Sequence, residues 1–215
     1  MQIIAHRGYW NKKAEKNTLD AFKRAFEFGF GVETDIRDQN GKLVISHDIP
    51  QGECISCDDF FKLYKSMTGH QTLALNIKSD GLQLKLKELI AKYNIDNYYV
   101  FDMSIPDTLG FINQDMKILS RHSNFEPNIP FASKRLGVWC DSFNDDAASM
   151  DIALEEIGHG RVAILVSPEL HARPYGDVWR EWLKAYRKLD EQKRELLMIC
   201  TDEPVVAKDF FRGTL

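Results

Sequence analysis

Two carboxylates, Glu33 and Asp35, stand two residues apart in the run Gly31-Val-Glu-Thr-Asp-Ile-Arg-Asp38. A hairpin signal at Asn40-Gly41 then returns the chain through Leu43-Val44-Ile45 to His47-Asp48. Read as a strand, the run sends Glu33 and Asp35 to one face and Val32, Thr34 and Ile36 to the other. Two like charges one pleat apart repel unless the face is wet or a cation sits between them. The stretch therefore proposes a hard metal ion with a titratable imidazole delivered nearby. His6-Arg7 and Asn76-x-Lys78 fall at the ends of two other apolar runs. Two histidines, an arginine, a lysine and two carboxylates on one face suit a phosphoryl substrate held by a metal.

The elements that must position these groups can be read from hydrophobic periodicity and turn signals. Strands are expected at Gln2–Ala5, Gly31–Arg37, Leu73–Lys78, Tyr98–Met103, Lys117–Arg121, Leu136–Asp141, Arg161–Ser167 and Leu196–Thr201. Helical patterns follow them, except that a long irregular loop containing Pro127 and Pro130 trails the fifth. The first helical pattern carries Leu19, Phe22, Ala25 and Phe26 at helical spacing, with Asn17 or Thr18 as its cap and Gly29 as its stop. Eight short strands alternating with helices predict a parallel sheet, and the count predicts a single-domain (β/α)8 barrel over residues 1–215, with the hairpin inserted after strand two. The open doubly wound alternative lacks the glycine-rich phosphate fingerprint after its first strand. In a barrel the chemistry gathers at the C-terminal strand ends, where His6, Arg7, Glu33, Asp35, Asn76, Lys78, Asp102, Arg121, Trp139 and Thr201-Asp202 all fall. Glu169, after strand seven, stands where barrels build substrate pockets, so Trp139, Glu169 and Arg121 are candidate pocket residues.

At 215 residues, 44% hydrophobic and 28% charged, the chain can bury a sizeable core. Its net charge of -4 and the absence of a basic run argue against a nucleic-acid partner. Ile3-Ile4-Ala5 is too short for a secretory apolar segment, and no run approaches the roughly 20 apolar residues of a membrane span. Four cysteines, with Cys54-x-x-Cys57 lacking a second ligand pair, fit a reduced compartment. The expectation is a cytoplasmic protein without stable membrane insertion that takes a small phosphodiester.

The motifs also resemble a family. His6-Arg7-Gly8, Asn17-Thr18 with Ala21-Phe22, Glu33-x-Asp35, and Gly41 through His47-Asp48 occur in the order found in the glycerophosphodiester phosphodiesterases. Asn76-Ile77-Lys78, Trp139 and Thr201-Asp202-x-Pro204 are weaker echoes. The resemblance implies a (β/α)8 barrel that hydrolyses glycerophosphodiesters to glycerol 3-phosphate and an alcohol, using one divalent cation, Mg²⁺ or Ca²⁺, with Mn²⁺ as a substitute. It further implies Glu33 and Asp35 as metal carboxylates, His6 and His47 as the acid/base pair, and Arg7 and Lys78 as phosphate contacts. This chain departs from the pattern twice. It reads Glu15-Lys16-Asn17-Thr18 where the family has Pro-Glu-Asn-Thr, and it has Asn76 where strand three supplies a third metal carboxylate. An Asn carbonyl still ligates hard cations, at one negative charge less.

His6 is assigned as general base and His47 as general acid, and the roles could be exchanged. The base would activate a neighbouring substrate hydroxyl or a water molecule. Unbroken pairing beyond Asn40-Gly41 would set His47 opposite Thr34, on the wrong face, so the ladder is expected to stop before His47 or to bulge. Two other readings remain. One is a barrel that binds phosphodiesters or phosphosugars without turnover, motivated by Asn76. The other is a phospholipid lyase releasing cyclic phosphate, with Phe125, Ile129 and Phe131 as its apolar rim.

Overall fold

The computed structural model describes residues 1–67, 70–144 and 146–212. Among the described residues, eight parallel strands follow the (β/α)8 order with helices between them, except that residues 123–136 between the fifth and sixth of these strands form a loop without a helix. One further strand pairs antiparallel as a hairpin. The chain divides into two compact units, Ala5–Ile118 and Met1–Ile4 with Leu119–Leu215.

Strand β1 (Gln2–His6) enters the first unit at Ala5, and just after it Arg7 N donates to Glu33 O of β2 (Gly31–Gln39) at 2.9 Å. Helix α1 (Leu19–Glu27) starts at Thr18, whose side chain accepts from Ala21 N, and it buries Ala21, Phe22, Ala25 and Phe26. Of the two expected caps, Thr18 is the one used. The hairpin strand β3 (Lys42–Ile45) pairs with β2 from Gln39↔Lys42 to Ile36↔Ile45. Asn40 and Gly41 both take positive φ, as a type I′ turn requires. Helix α2 (Cys57–Met67) buries Phe60, Phe61 and Tyr64, and its Phe60 ring meets Phe22 of α1 at 4.7 Å. Strand β4 (Leu73–Ile77) lies parallel to β2 with Asn76 opposite Asp35. Helix α3 (Gln83–Lys92), strand β5 (Tyr98–Phe101), parallel to β4, and helix α4 (Ile105–Asn113), capped by Ser104, complete the unit.

The second unit pairs β6 (Leu119–His122), β7 (Gly137–Cys140), β8 (Val162–Val166) and β9 (Leu197–Thr201) in parallel. A Cβ on Gly137 would come within 2.0 Å of Val162 O, so only glycine lets β7 approach β8 this closely. Helix α5 (Ala147–Gly158) carries Glu156, which is 2% exposed and held by two arginines. Arg135 donates to both its oxygens at 2.7 and 3.1 Å, and Arg161 does so at 2.6 and 2.9 Å. Helix α6 (Gly176–Arg187) buries Trp179 and Trp182, a short α7 (Glu191–Glu195) follows, and α8 (Pro204–Arg212) sets Phe211 against Trp179. The fifth expected strand, Lys117–Arg121, is displaced: β6 begins at Leu119, while Ile118 bridges Val100 in the first unit. No helix among the described residues is long and apolar enough to cross a membrane.

Candidate active site

Glu33 and Asp35 share one face of β2 within the first unit, and neither is wet: they are 2% and 0% exposed. Of the two conditions that could tolerate such a pair, solvation is therefore excluded, and the side-chain cations nearby gather on Asp35. Arg7 Nε lies 2.9 Å from Asp35 Oδ2, and Lys78 Nζ lies 3.5 Å from Asp35 Oδ1. His6 Nε2 is 3.8 Å from Glu33 Oε2. Burial and the neighbouring Asp35 charge push the Glu33 carboxyl up to about 8, although Arg7 and Lys78 pull the other way. Five of the expected site residues are thus brought together.

The backbone after β1 explains why the sequence reads His-Arg-Gly. Arg7 takes φ 57° and Gly8 φ 87°, turning the chain sharply at the strand end. A Cβ on Gly8 would stand 2.8 Å from the Ala21 carbonyl carbon, so α1 can pack here only against glycine. Asn17 closes the turn. In a left-handed conformation (φ 60°), it donates its N–H to Arg7 O at 2.9 Å. Its Nδ2 donates to Asp35 Oδ2 at 2.8 Å, and its Oδ1 accepts from Thr34 Oγ1 at 2.9 Å. Lys16, where the family pattern has a glutamate, lies 4.5 Å from the centre of the Trp10 ring.

The β2–β3 ladder ends at Ile45, and Ser46 N makes one further bond to Asp35 O at 3.0 Å. Pairing thus stops before His47, as the register arithmetic requires. The His47 side chain is 45% exposed, and its Nδ1 lies 2.9 Å from Asp48 Oδ1.

Among the described residues of this site, three buried oxygens remain without a hydrogen-bond donor: Glu33 Oε2, Asp35 Oδ1 and Asn76 Oδ1. Asn76 opposes Asp35 in register on β4, so the three side chains project from adjacent positions of two paired strands. Buried acceptors seldom go unsatisfied. Oxygen donors of this kind, two of them carboxylates, fit a hard divalent cation. No grouping of three or more His, Cys, Asp or Glu suited to a metal occurs among the described residues; the third oxygen here belongs to an amide.

No protein-family model matches the sequence, and no curated protein matches it. Solved structures do. A glycerophosphodiester phosphodiesterase from Agrobacterium tumefaciens superposes with a TM-score of 0.71 at 15% identity, over 100% of both chains. One from Thermotoga maritima gives 0.60 at 18% identity, over 96% of each. An Oleispira antarctica phosphodiesterase, solved in complex with its product sn-glycerol-3-phosphate, gives 0.65 at 15% identity, over 99% of this chain and 97% of that one. The chain has the fold of these enzymes.

Within this fold, the candidate pocket residues belong to the second unit. Arg121 pairs with Glu126, Nη2 to Oε1 at 2.7 Å, and stands opposite Trp139, which is buried on β7. Glu169 accepts from the Ser167 and Thr201 hydroxyls and from Asp202 N at 3.1 Å. Burial raises the Glu169 carboxyl, and the hydrogen bonds from Ser167 and Thr201 oppose that rise. Trp179 Nε1 donates to Ser167 Oγ at 2.8 Å, tying this cluster to α6. His171 Nε2 lies 2.7 Å from Asp141 Oδ1. Phe125 is 74% exposed with its ring centre 5.6 Å from that of Phe143, whereas Ile129 and Phe131 are half-buried.

Two residues at the carboxylate site were not assigned to it from sequence. Asn17 read as a helix cap and Asp102 as one polar strand end among many. Asp102 Oδ2 in fact lies 3.3 Å from Lys78 Nζ. The available signal was their type, since Asn and Asp are the side chains that most readily take the left-handed conformation both adopt.

Proposed function

We propose that the chain hydrolyses glycerophosphodiesters to glycerol 3-phosphate and an alcohol, with one divalent cation held by Glu33, Asp35 and Asn76. The observation that carries this reading is the set of three buried, donor-less oxygens beside two cations and an imidazole. The fold shared with the phosphodiesterases, one of them bound to sn-glycerol-3-phosphate, supports the substrate class. When bound, the cation supplies positive charge to the phosphoryl oxygens.

The remaining steps belong to side chains. Arg7 and Lys78 bind the phosphate, Arg7 by its planar donor fork and Lys78 as a point charge. His6 takes the proton of the attacking oxygen, which comes from a neighbouring substrate hydroxyl or from water. The Glu33 carboxylate, 3.8 Å from His6 Nε2, favours the imidazolium that results. As the new P–O bond forms and the bond to the alcohol breaks, His47 gives a proton to the departing oxygen. Its Nδ1 is engaged by Asp48, which leaves Nε2 for that transfer.

The test is glycerol 3-phosphate release from glycerophosphocholine by the purified chain. Activity is expected with added Mg²⁺, Ca²⁺ or Mn²⁺ and none in EDTA. Absence of turnover with all three metals, alongside measurable ligand binding, would instead favour the non-catalytic phosphodiester-binding barrel. Asn76 is the observation behind that second reading.

A further inference from the structure

Lys78 is shared. Its ammonium stands 3.5 Å from Asp35 Oδ1 and 3.3 Å from Asp102 Oδ2, and both partners are largely enclosed, Asp35 at 0% and Asp102 at 19% side-chain exposure. Asp35 Oδ1 is also one of the three donor-less oxygens that suit a cation. A lysine ammonium and a divalent ion therefore compete for the same atom. The chain places a second carboxylate beside that ammonium. It does so from the residue just after β5, in a left-handed backbone conformation (φ 74°) that few residues adopt without strain.

We infer that Asp102 is a positioning residue that draws Lys78 off Asp35, so that Asp35 is open to the divalent cation while Lys78 stays in place for the phosphate. The inference rests on the cation-dependent reading above. It assigns Asp102 no contact with the reacting atoms. Without Asp102, Lys78 has Asp35 as its remaining strong acceptor and holds it against the cation. Without Lys78 there is no ammonium for Asp102 to draw from Asp35, so its substitution should matter little to the cation. The two residues must therefore be coupled in cation binding.

The experiment is Mn²⁺ binding to the full chain, followed by the electron paramagnetic resonance of free Mn²⁺, with no substrate present. The proteins are wild type, Asp102→Asn, Lys78→Met, the double variant, and Glu33→Gln as the site control. Asn tolerates the left-handed conformation, so Asp102→Asn removes charge with little change in backbone preference. Asp102→Gly, at home at this φ, must reproduce its effect. Asp102→Asn is expected to weaken Mn²⁺ binding about tenfold in the wild-type background, and Lys78→Met to tighten it by a similar factor. In the Lys78→Met background, Asp102→Asn is expected to change affinity by no more than about twofold. Equal weakening in both backgrounds would mean that Asp102 acts on the cation directly, and would overturn the inference. So would unchanged affinity in Asp102→Asn or Asp102→Gly while Glu33→Gln abolishes binding. No Mn²⁺ binding by wild type would overturn the cation reading together with the inference.

Discussion

Two buried carboxylates, Glu156 and Glu33, are equally hidden from water and oppositely treated. Glu156 is 2% exposed, and both of its oxygens are taken by the Arg135 and Arg161 guanidinium groups. Burial alone would raise its carboxyl, but the hydrogen bonds and charges of the two arginines bring it down to about 2. Glu33 is also 2% exposed, yet its Oε2 accepts no hydrogen bond and Asp35 repels it, so it is pushed up. Burial is common to both. The difference is completeness: one cluster is closed by its own chain, and the other stays short of donors where a ligand could supply positive charge.

Substitutions should separate the two clusters. His6→Ala is expected to lower turnover on the order of 10² to 10⁴-fold, with the melting temperature little changed; steady-state kinetics beside a thermal melt would check both. Glu156→Gln should do the reverse. It leaves Arg135, 8% exposed, without its charge partner, and a loss of about 3–5 kcal/mol is expected in urea unfolding, with activity per folded molecule preserved.

Acid and base titrations should also pull the clusters in opposite directions. Glu156 binds protons less tightly folded than unfolded, so its contribution is present above its ordinary 4.5 and is lost as pH falls toward 2. Glu33 binds them more tightly folded, so its contribution is present below 4.5 and is lost as pH rises toward 8. Unfolding midpoints measured in EDTA across this range should flatten at the acid end in Glu156→Gln and at the neutral end in Glu33→Gln. A Glu33→Gln profile identical to wild type above pH 5 would remove the contrast. The smallest expected effect is that of Thr18→Ala, about 1 kcal/mol of stability from the lost α1 cap, read from the same urea curves.

Much of this arrangement is legible in the sequence because it depends on local periodicity. The alternation in Gly31–Gln39 puts Glu33 and Asp35 on one face, and Asn40-Gly41 fixes the hairpin register that strands His47 beyond the ladder. What depends on tertiary packing is not legible. Burial of the carboxylate pair follows from how β2 is covered, which no alternation pattern reports. Asn17 and Asp102 reach Asp35 and Lys78 only because their backbones turn left-handed, a property of the folded loops. The displaced start of β6 has the same origin, since Ile118 bridges Val100 before the strand proper begins. Helix α7 is too short and too polar to show a hydrophobic stripe, and only its Asp190 cap marks it.

Arg7 and Asn17 hold Asp35 and Lys78 stands beside it, and the three come from separate stretches of chain. That has a consequence for synthesis. The carboxylate pair leaves the ribosome well before Lys78 does, and a half-made unit that buried Glu33 and Asp35 would have Arg7, Asn17 and His6 beside them but not the Lys78 ammonium. Closure around β2 is therefore expected to gain its second cation only once β4 and Lys78 have emerged, which ties completion of this centre to the order of translation.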